Sequence, residues 1–170
     1  MLFLPSETNG FAGFCKGAWK LQLGLKKAFS ISMRPAGLFD HIPFWQCSKC
    51  SYEGPVQGGE ARSSWGYDQR IHIHRSTGIR YRWLFLAKSH ISSRNWPAGR
   101  CDSSVGCFGC IFCSAEQRGP APVFYTLATF MEHLQTHSQR PIASGLLDRT
   151  RCIAGRVASN TEDFDLNIPS

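Results

Sequence analysis

Apolar and polar positions alternate most cleanly between Arg70 and Ala87. Ile71 and Ile73 fall on one face of the segment 70–75, with His72 and His74 on the other. Ser76-Thr-Gly78 reads as a turn. From Ile79 to Ala87 the alternation resumes, with Tyr81, Trp83 and Phe85 inward and Arg80 and Arg82 outward. Residues 70–91 are therefore expected to form an antiparallel hairpin with one aromatic and one basic face. A different period governs the segment after Thr126: Leu127, Phe130 and Leu134 recur at helical spacing, and Thr126 is placed to cap that helix. Ile142–Ala158 suits a short helix, and Asp163–Ile168 alternates as a short closing strand. Gly, Pro and Ser mark 54–64 and 92–106 as loops.

The first forty residues show no clear period. Residues 1–40 are expected to be a flexible or loosely packed basic arm, followed by a CxxC knuckle plus hairpin over 41–106. A finger region over 107–141 and a C-terminal segment with an acidic tail over 142–170 complete the chain. Met1-Leu-Phe-Leu4 is too short for the apolar part of a signal peptide and is stopped by Pro5. Residues 1–34 are poor in acids, as in a mitochondrial transit peptide, yet hold one arginine and few serines. No apolar run approaches the ~20 residues of a membrane span, so no membrane partner is expected.

A net charge of +7 with 42% hydrophobic residues describes a globular chain that favours polyanionic partners. The basic body and the acids Glu162, Asp163 and Asp165 can also pair with each other. Eight cysteines without a secretory signal point to metal or free thiols over disulfides.

Spacing sharpens that choice. Cys47-x2-Cys50 and Cys107-x2-Cys110-x2-Cys113 bring thiolates from one tight turn to one ion. Cys110-x2-Cys113 followed by Phe124-x5-Phe130-x2-His133-x3-His137 follows the form of a Cys2His2 finger, with Phe130 in the usual leucine slot. Ten residues instead of three separate Cys113 from Phe124, and Gly119-Pro120 and Pro122 suit that insertion to an extended loop. His133 and His137, four apart on a helix, project toward one ion. Four ligands leave no open position, so Cys110, Cys113, His133 and His137 are expected to hold a structural zinc ion.

Cys47 and Cys50 need two further ligands. His90, at the expected end of the second strand, is the preferred one, and Cys101, Cys107, His72 and His74 are the other options. Cys107 can also supplant Cys110. Cys15 and Cys152 have no ligand-spaced neighbours and are expected to be packed or exposed thiols; His72 and His74 are expected to be a solvated strand face. One zinc ion, or two if the second set closes, is the implied cofactor.

The finger is a poor DNA reader. Its helix positions −1, 3 and 6 are Thr126, Thr129 and Glu132, with no arginine for guanine. Between Arg118 and Arg140 no basic residue is present to hold phosphate. The hairpin face with Arg70, Arg75, Arg80, Arg82 and Lys88, near Trp65, Tyr67 and Trp96, is the nucleic-acid candidate; a solvated sheet face is the alternative. No catalytic residue is expected, because the carboxylates are few and sit in loops and the tail. The enzymatic alternative is a zinc-dependent hydrolase or nuclease, using an incomplete first knuckle or His72 or His74. A third alternative is a scaffold docking through Phe164, Leu166 and Ile168.

Four segments resemble a group of fungal proteins with a C2H2-like finger: Phe44–Gly54, Gly78–His90, Gly109-Cys-Ile-Phe-Cys113 and Thr129–His137. Cys152–Arg156 and Glu162–Asn167 are similar too, so the resemblance covers roughly residues 40–170. It implies a zinc finger-like domain and a nuclear setting, with a cytoplasmic one as the alternative. Cys101 and Cys107 stand outside its pattern. The expected architecture is a small zinc-stabilised α+β domain, with an antiparallel hairpin and a long-looped ββα C2H2-like finger. Its expected function is a non-enzymatic binding module for protein or nucleic acid, with no small-molecule substrate evident.

Overall fold

The computed structural model describes residues 2–101 and 105–170. Met1 and Asp102–Ser104, the latter inside the expected loop 92–106, lie outside the described residues. The fold is α+β, built on three small sheets that are antiparallel except for one pair of strands.

The first sheet has the order β1 (Phe29–Ala36), β2 (Asp40–Cys47), β3 (Glu53–Gln57) and β4 (Gly66–Tyr67). The alternating Phe29-Ser-Ile-Ser-Met33 supports β1, whose register runs from Phe29 opposite Cys47 to Ala36 opposite Asp40. Gly37, at φ +76°, supplies the left-handed turn between them. Leu38 and Phe39 stand at that tip with 92% and 91% of their surface exposed.

The N-terminal arm differs from its expectation. It packs Ala12, Phe14, Cys15, Ala18, Leu21 and Phe29 into the core, with α1 (Lys16–Gln22) turning Ala18, Leu21 and Gln22 inward. Helical spacing over only seven residues is too short a signal to stand out among the flanking glycines.

The second sheet has the order β5 (His72–His74), β6 (Ile79–Tyr81), β10 (Leu166–Ile168) and β9 (Cys152–Ala154). β5 and β6 pair as expected around Gly78, but the second arm of the hairpin ends at Tyr81. Trp83–Ser89 is instead a helix, α2, in which every residue but Leu84 is buried. A short apolar run that is buried all round carries no period to separate strand from helix. Burial across β5 is also reversed: Ile73 is exposed while His72 and His74 are half-buried.

β10 forms as expected, between β6 and β9, and pairs parallel with β9. α5 (Ser144–Thr150) precedes β9. Phe164, Leu166 and Ile168 are fully buried in the chain's own core, which removes them as a free docking tail. The acidic tail pairs with the basic body through Arg156–Glu162, Arg151–Asp163 and the buried Lys88–Asp165 bridge at 2.8 Å.

In the finger region β7 (Phe108–Gly109) pairs antiparallel with β8 (Val123–Phe124), and α4 (Leu127–Gln135) follows. Thr126 caps α4 by accepting from the Thr129 amide at 3.1 Å. The stretch after the knuckle differs from the expected extended loop: Ile111–Gln117 is helical, α3, and stops at left-handed Arg118. Its buried face, Ile111, Phe112, Ser114 and Ala115, explains why the helix persists. Phe85, Phe108 and Phe124 each pack against the Phe130 ring of α4. Buried side chains from residue 12 to residue 168 join one cluster.

Candidate metal centres

The structure brings Cys110, Cys113, His133 and His137 together, with ligand atoms all within 4.8 Å of one another. Cys110 follows β7 and caps α3, Cys113 lies in the first turn of α3, and α4 and the turn after it carry the two histidines. Cys113 Sγ is 3.2 Å from His133 Nε2 and 3.5 Å from His137 Nε2; Cys110 Sγ is 3.4 Å from His137 Nε2. Zn–S and Zn–N bonds of ordinary length give tetrahedral edges of ~3.5 Å between sulfur and nitrogen. These three sulfur–nitrogen separations are close to such edges.

The surroundings hold the ligands in that pose. The Cys113 amide donates to Cys110 Sγ at 3.4 Å. His133 stacks on Phe124 at 4.5 Å and His137 packs against Phe112. Burial depresses both imidazoles below their ordinary value, which keeps them neutral, as metal ligation requires. Buried His137 Nδ1 has no hydrogen-bond partner among the described residues; the Glu116 carboxylate lies 3.8 Å away. A carboxylate behind the ligating imidazole orients it and raises its basicity.

A second cluster joins Cys47, Cys50 and His90, the three residues expected there, to Cys15, which was expected to be an unligated thiol. Cys15 Sγ lies 3.7 Å from Cys47 Sγ, against ~3.8 Å for two sulfurs on one tetrahedral zinc. The Lys49 and Tyr52 amides donate to Cys47 and Cys50 Sγ, each at 3.4 Å. Gly17 permits the approach of α1, since a Cβ there would overlap Cys47 Sγ. The signal for Cys15 in the sequence was only an incomplete ligand set elsewhere, because its partners lie 32 residues and more away.

His90 reaches this cluster from the end of α2, not from a strand end. It is fully buried, stacked on Tyr52 at 4.3 Å and met edge-on by Phe29. Its Nδ1 donates to the Ala87 carbonyl at 2.6 Å. That bond assigns the proton to Nδ1 and turns the Nε2 lone pair to the sulfurs, where Nε2 has no hydrogen-bond partner among the described residues. A buried ring nitrogen with no partner, facing three thiols, fits a metal. Hydrogen bonds with Cys15 and Cys47 pull the Cys50 thiol down from its ordinary value.

The two clusters share a short piece of backbone. His90 bridges to Phe108, the Ile91 amide donates to the Cys107 carbonyl, and Cys110 lies two residues beyond Phe108.

Other expected chemistry is placed differently. Cys101 and Cys107 form a disulfide with Cα atoms 5.9 Å apart, a separation within the range such a bond takes. That removes both from the ligand options and departs from the expectation of metal or free thiols alone. Cys152 is a buried thiol, pushed up to about 12 by burial. His72 stacks on Tyr81 and His74 hydrogen-bonds Thr77, and neither belongs to a metal cluster among the described residues.

The basic hairpin face is spent internally. Arg80 donates to Ala158 and Asn160, Arg82 to Gln69 and Phe164, Arg70 chelates Asp68, and Lys88 is buried against Asp165. Arg75 alone of the five remains exposed without such a bond among the described residues. Trp65, Tyr67 and Trp96 are half-buried and occupied by Gly59, Trp45 and Ile91. No helix of the described residues is long and apolar enough to cross a membrane. No family profile, curated protein or solved structure matches the chain.

Proposed function

We propose that the chain is a structural module holding two zinc ions, one in each cluster, and that its role is to present surfaces to a macromolecular partner, protein or nucleic acid. The observation that carries this reading is that each cluster gathers four Cys and His ligand atoms within 4.8 Å of one another. Each set has four ligands and so leaves no position for water or substrate, the arrangement of a structural and not a catalytic site. In this reading Cys110, Cys113, His133 and His137 act as a long-looped C2H2-like finger, and Cys15, Cys47, Cys50 and His90 fasten the N-terminal segment to it. No side chain at either cluster is assigned a catalytic role.

Elemental analysis of the purified protein, paired with chelator titration followed by circular dichroism, tests it. Two zinc per chain, with folded signal lost as zinc is removed, is the expected result. Fewer than two zinc in protein purified without chelator would overturn the two-zinc reading.

A further inference from the structure

Beside the second cluster the surface opens into a cleft of about 570 Å³. It is lined by Phe11, Lys16, Ser48, Lys49, Ser92 and Arg94 among others, and by no acidic residue among the described residues. The three cations come from separate parts of the chain: Lys16 opens α1, Lys49 sits between the two knuckle cysteines, and Arg94 lies in a 3-10 turn after His90. Lys49 and Arg94 are exposed and bond to no acid among the described residues; Lys16 meets the exposed Glu7 at 3.3 Å and sits over the Phe11 ring at 5.7 Å. Such an exposed pair is weak and exchangeable.

Cys15 lines the floor of the cleft. Three thiolates and a neutral imidazole around a divalent zinc ion leave one negative charge, which cannot absorb three cations. The cleft therefore keeps a positive surplus. Phe11 contributes an aromatic ring to the same wall, braced at 5.1 Å by Trp19. Its backbone is held in a left-handed run from Gly10 to Ala12, at φ +61°, +57° and +51°, a conformation that costs energy outside glycine.

We infer that this cleft binds the phosphodiester backbone of single-stranded nucleic acid, with Lys16, Lys49 and Arg94 on phosphates and Phe11 stacking on a base. The inference rests on the two-zinc reading, because the second zinc fixes the knuckle that carries Lys49. Cations on separate elements around an aromatic ring suit a flexible strand with splayed bases. Duplex readers instead offer a projecting helix or ribbon to a groove, and the concave shape offers neither. Ser48 and Ser92 add hydroxyls able to donate to phosphate oxygens.

The test is fluorescence anisotropy with a labelled 12-nucleotide single strand and the full chain, with zinc content measured on each sample. Micromolar binding at low salt is expected, with log affinity falling against log salt at a slope of about −2 for three phosphates. Lys49→Glu with Arg94→Glu should weaken binding at least tenfold and flatten the slope. Phe11→Ala should weaken it about tenfold with the slope unchanged. Arg75→Glu, outside the cleft, should change it less than about twofold.

Wild-type affinity in the Lys49/Arg94 variant would overturn the inference, and so would equal affinity for duplex or for a phosphorylated peptide of matched charge. Absence of binding by protein carrying two zinc would sink the inference and leave the zinc reading intact. Protein with fewer than two zinc that still loses binding on charge reversal would keep the cleft and sink the zinc reading.

Discussion

The two clusters have the same number of ligands but are assembled in opposite ways. Cys110, Cys113, His133 and His137 lie within one continuous stretch, so local helix geometry sets most of their positions. Cys15, Cys47, Cys50 and His90 come from the N-terminal segment, the β2 knuckle and the end of α2. An ion in the first fastens a helix to a turn; an ion in the second fastens three distant parts of the core. Loop closure explains the difference in consequence, because each long loop closed in the folded state removes more freedom from the unfolded one.

The largest effect expected follows from that contrast. Cys15→Ala and Cys113→Ala should each reduce zinc from two to one per chain. The loss of stability in denaturant should be greater for Cys15→Ala, by about 2 kcal/mol, from the longer loop released. Equal losses would show that the second centre does not staple the fold.

Next in size is Asp165→Asn. It leaves Lys88 charged and buried on α2, the helix that delivers His90. A loss of about 3–5 kcal/mol is expected, with zinc released from the second centre before the first as denaturant rises. Lys88→Met together with Asp165→Leu should recover most of that loss, since the desolvation cost of both charges is removed.

Glu116→Gln should sharpen the comparison from the other side. It removes the carboxylate behind His137 and should weaken zinc at the first centre about tenfold, leaving the second unchanged in competition with a metal indicator. Thr126→Ala removes the cap of α4 and should cost about 1 kcal/mol by thermal unfolding, with both zinc ions retained.

The smallest effect is pH dependence just below neutrality. His133 and His137 are depressed by burial, so below the ordinary histidine value the unfolded chain binds protons that the folded chain refuses. Stability then falls as pH falls, and proton competition for the ligands acts in the same direction. A melting temperature that drops modestly from pH 7.5 to 6.5 is expected, and a rise would contradict the neutral-imidazole assignment.

The first cluster could be read from the chain because helix periodicity and the CxxC turn are local rules. Spacing alone decided which atoms could face each other, and the same is true of the Thr126 cap and the β10 alternation. For the second cluster the knuckle and His90 were legible, but for a reason the structure changed. His90 serves at the end of a helix whose apolar run, from Trp83 to Ala87, satisfies strand and helix alike. Cys15 was not legible, since nothing near it in the chain marks a ligand.

Tertiary structure alone decided which charges are free. Arg80, Arg82 and Lys88 form a basic stripe in the sequence, yet the C-terminal segment folds back and takes up their bonds. Lys16, Lys49 and Arg94, unremarkable and far apart in the chain, are gathered beside one cleft. The sequence by itself determined the ligand types, the local spacing and the excess of positive charge. Which distant segments meet was decided by burial of one shared core, a non-local balance that no window of neighbouring residues records.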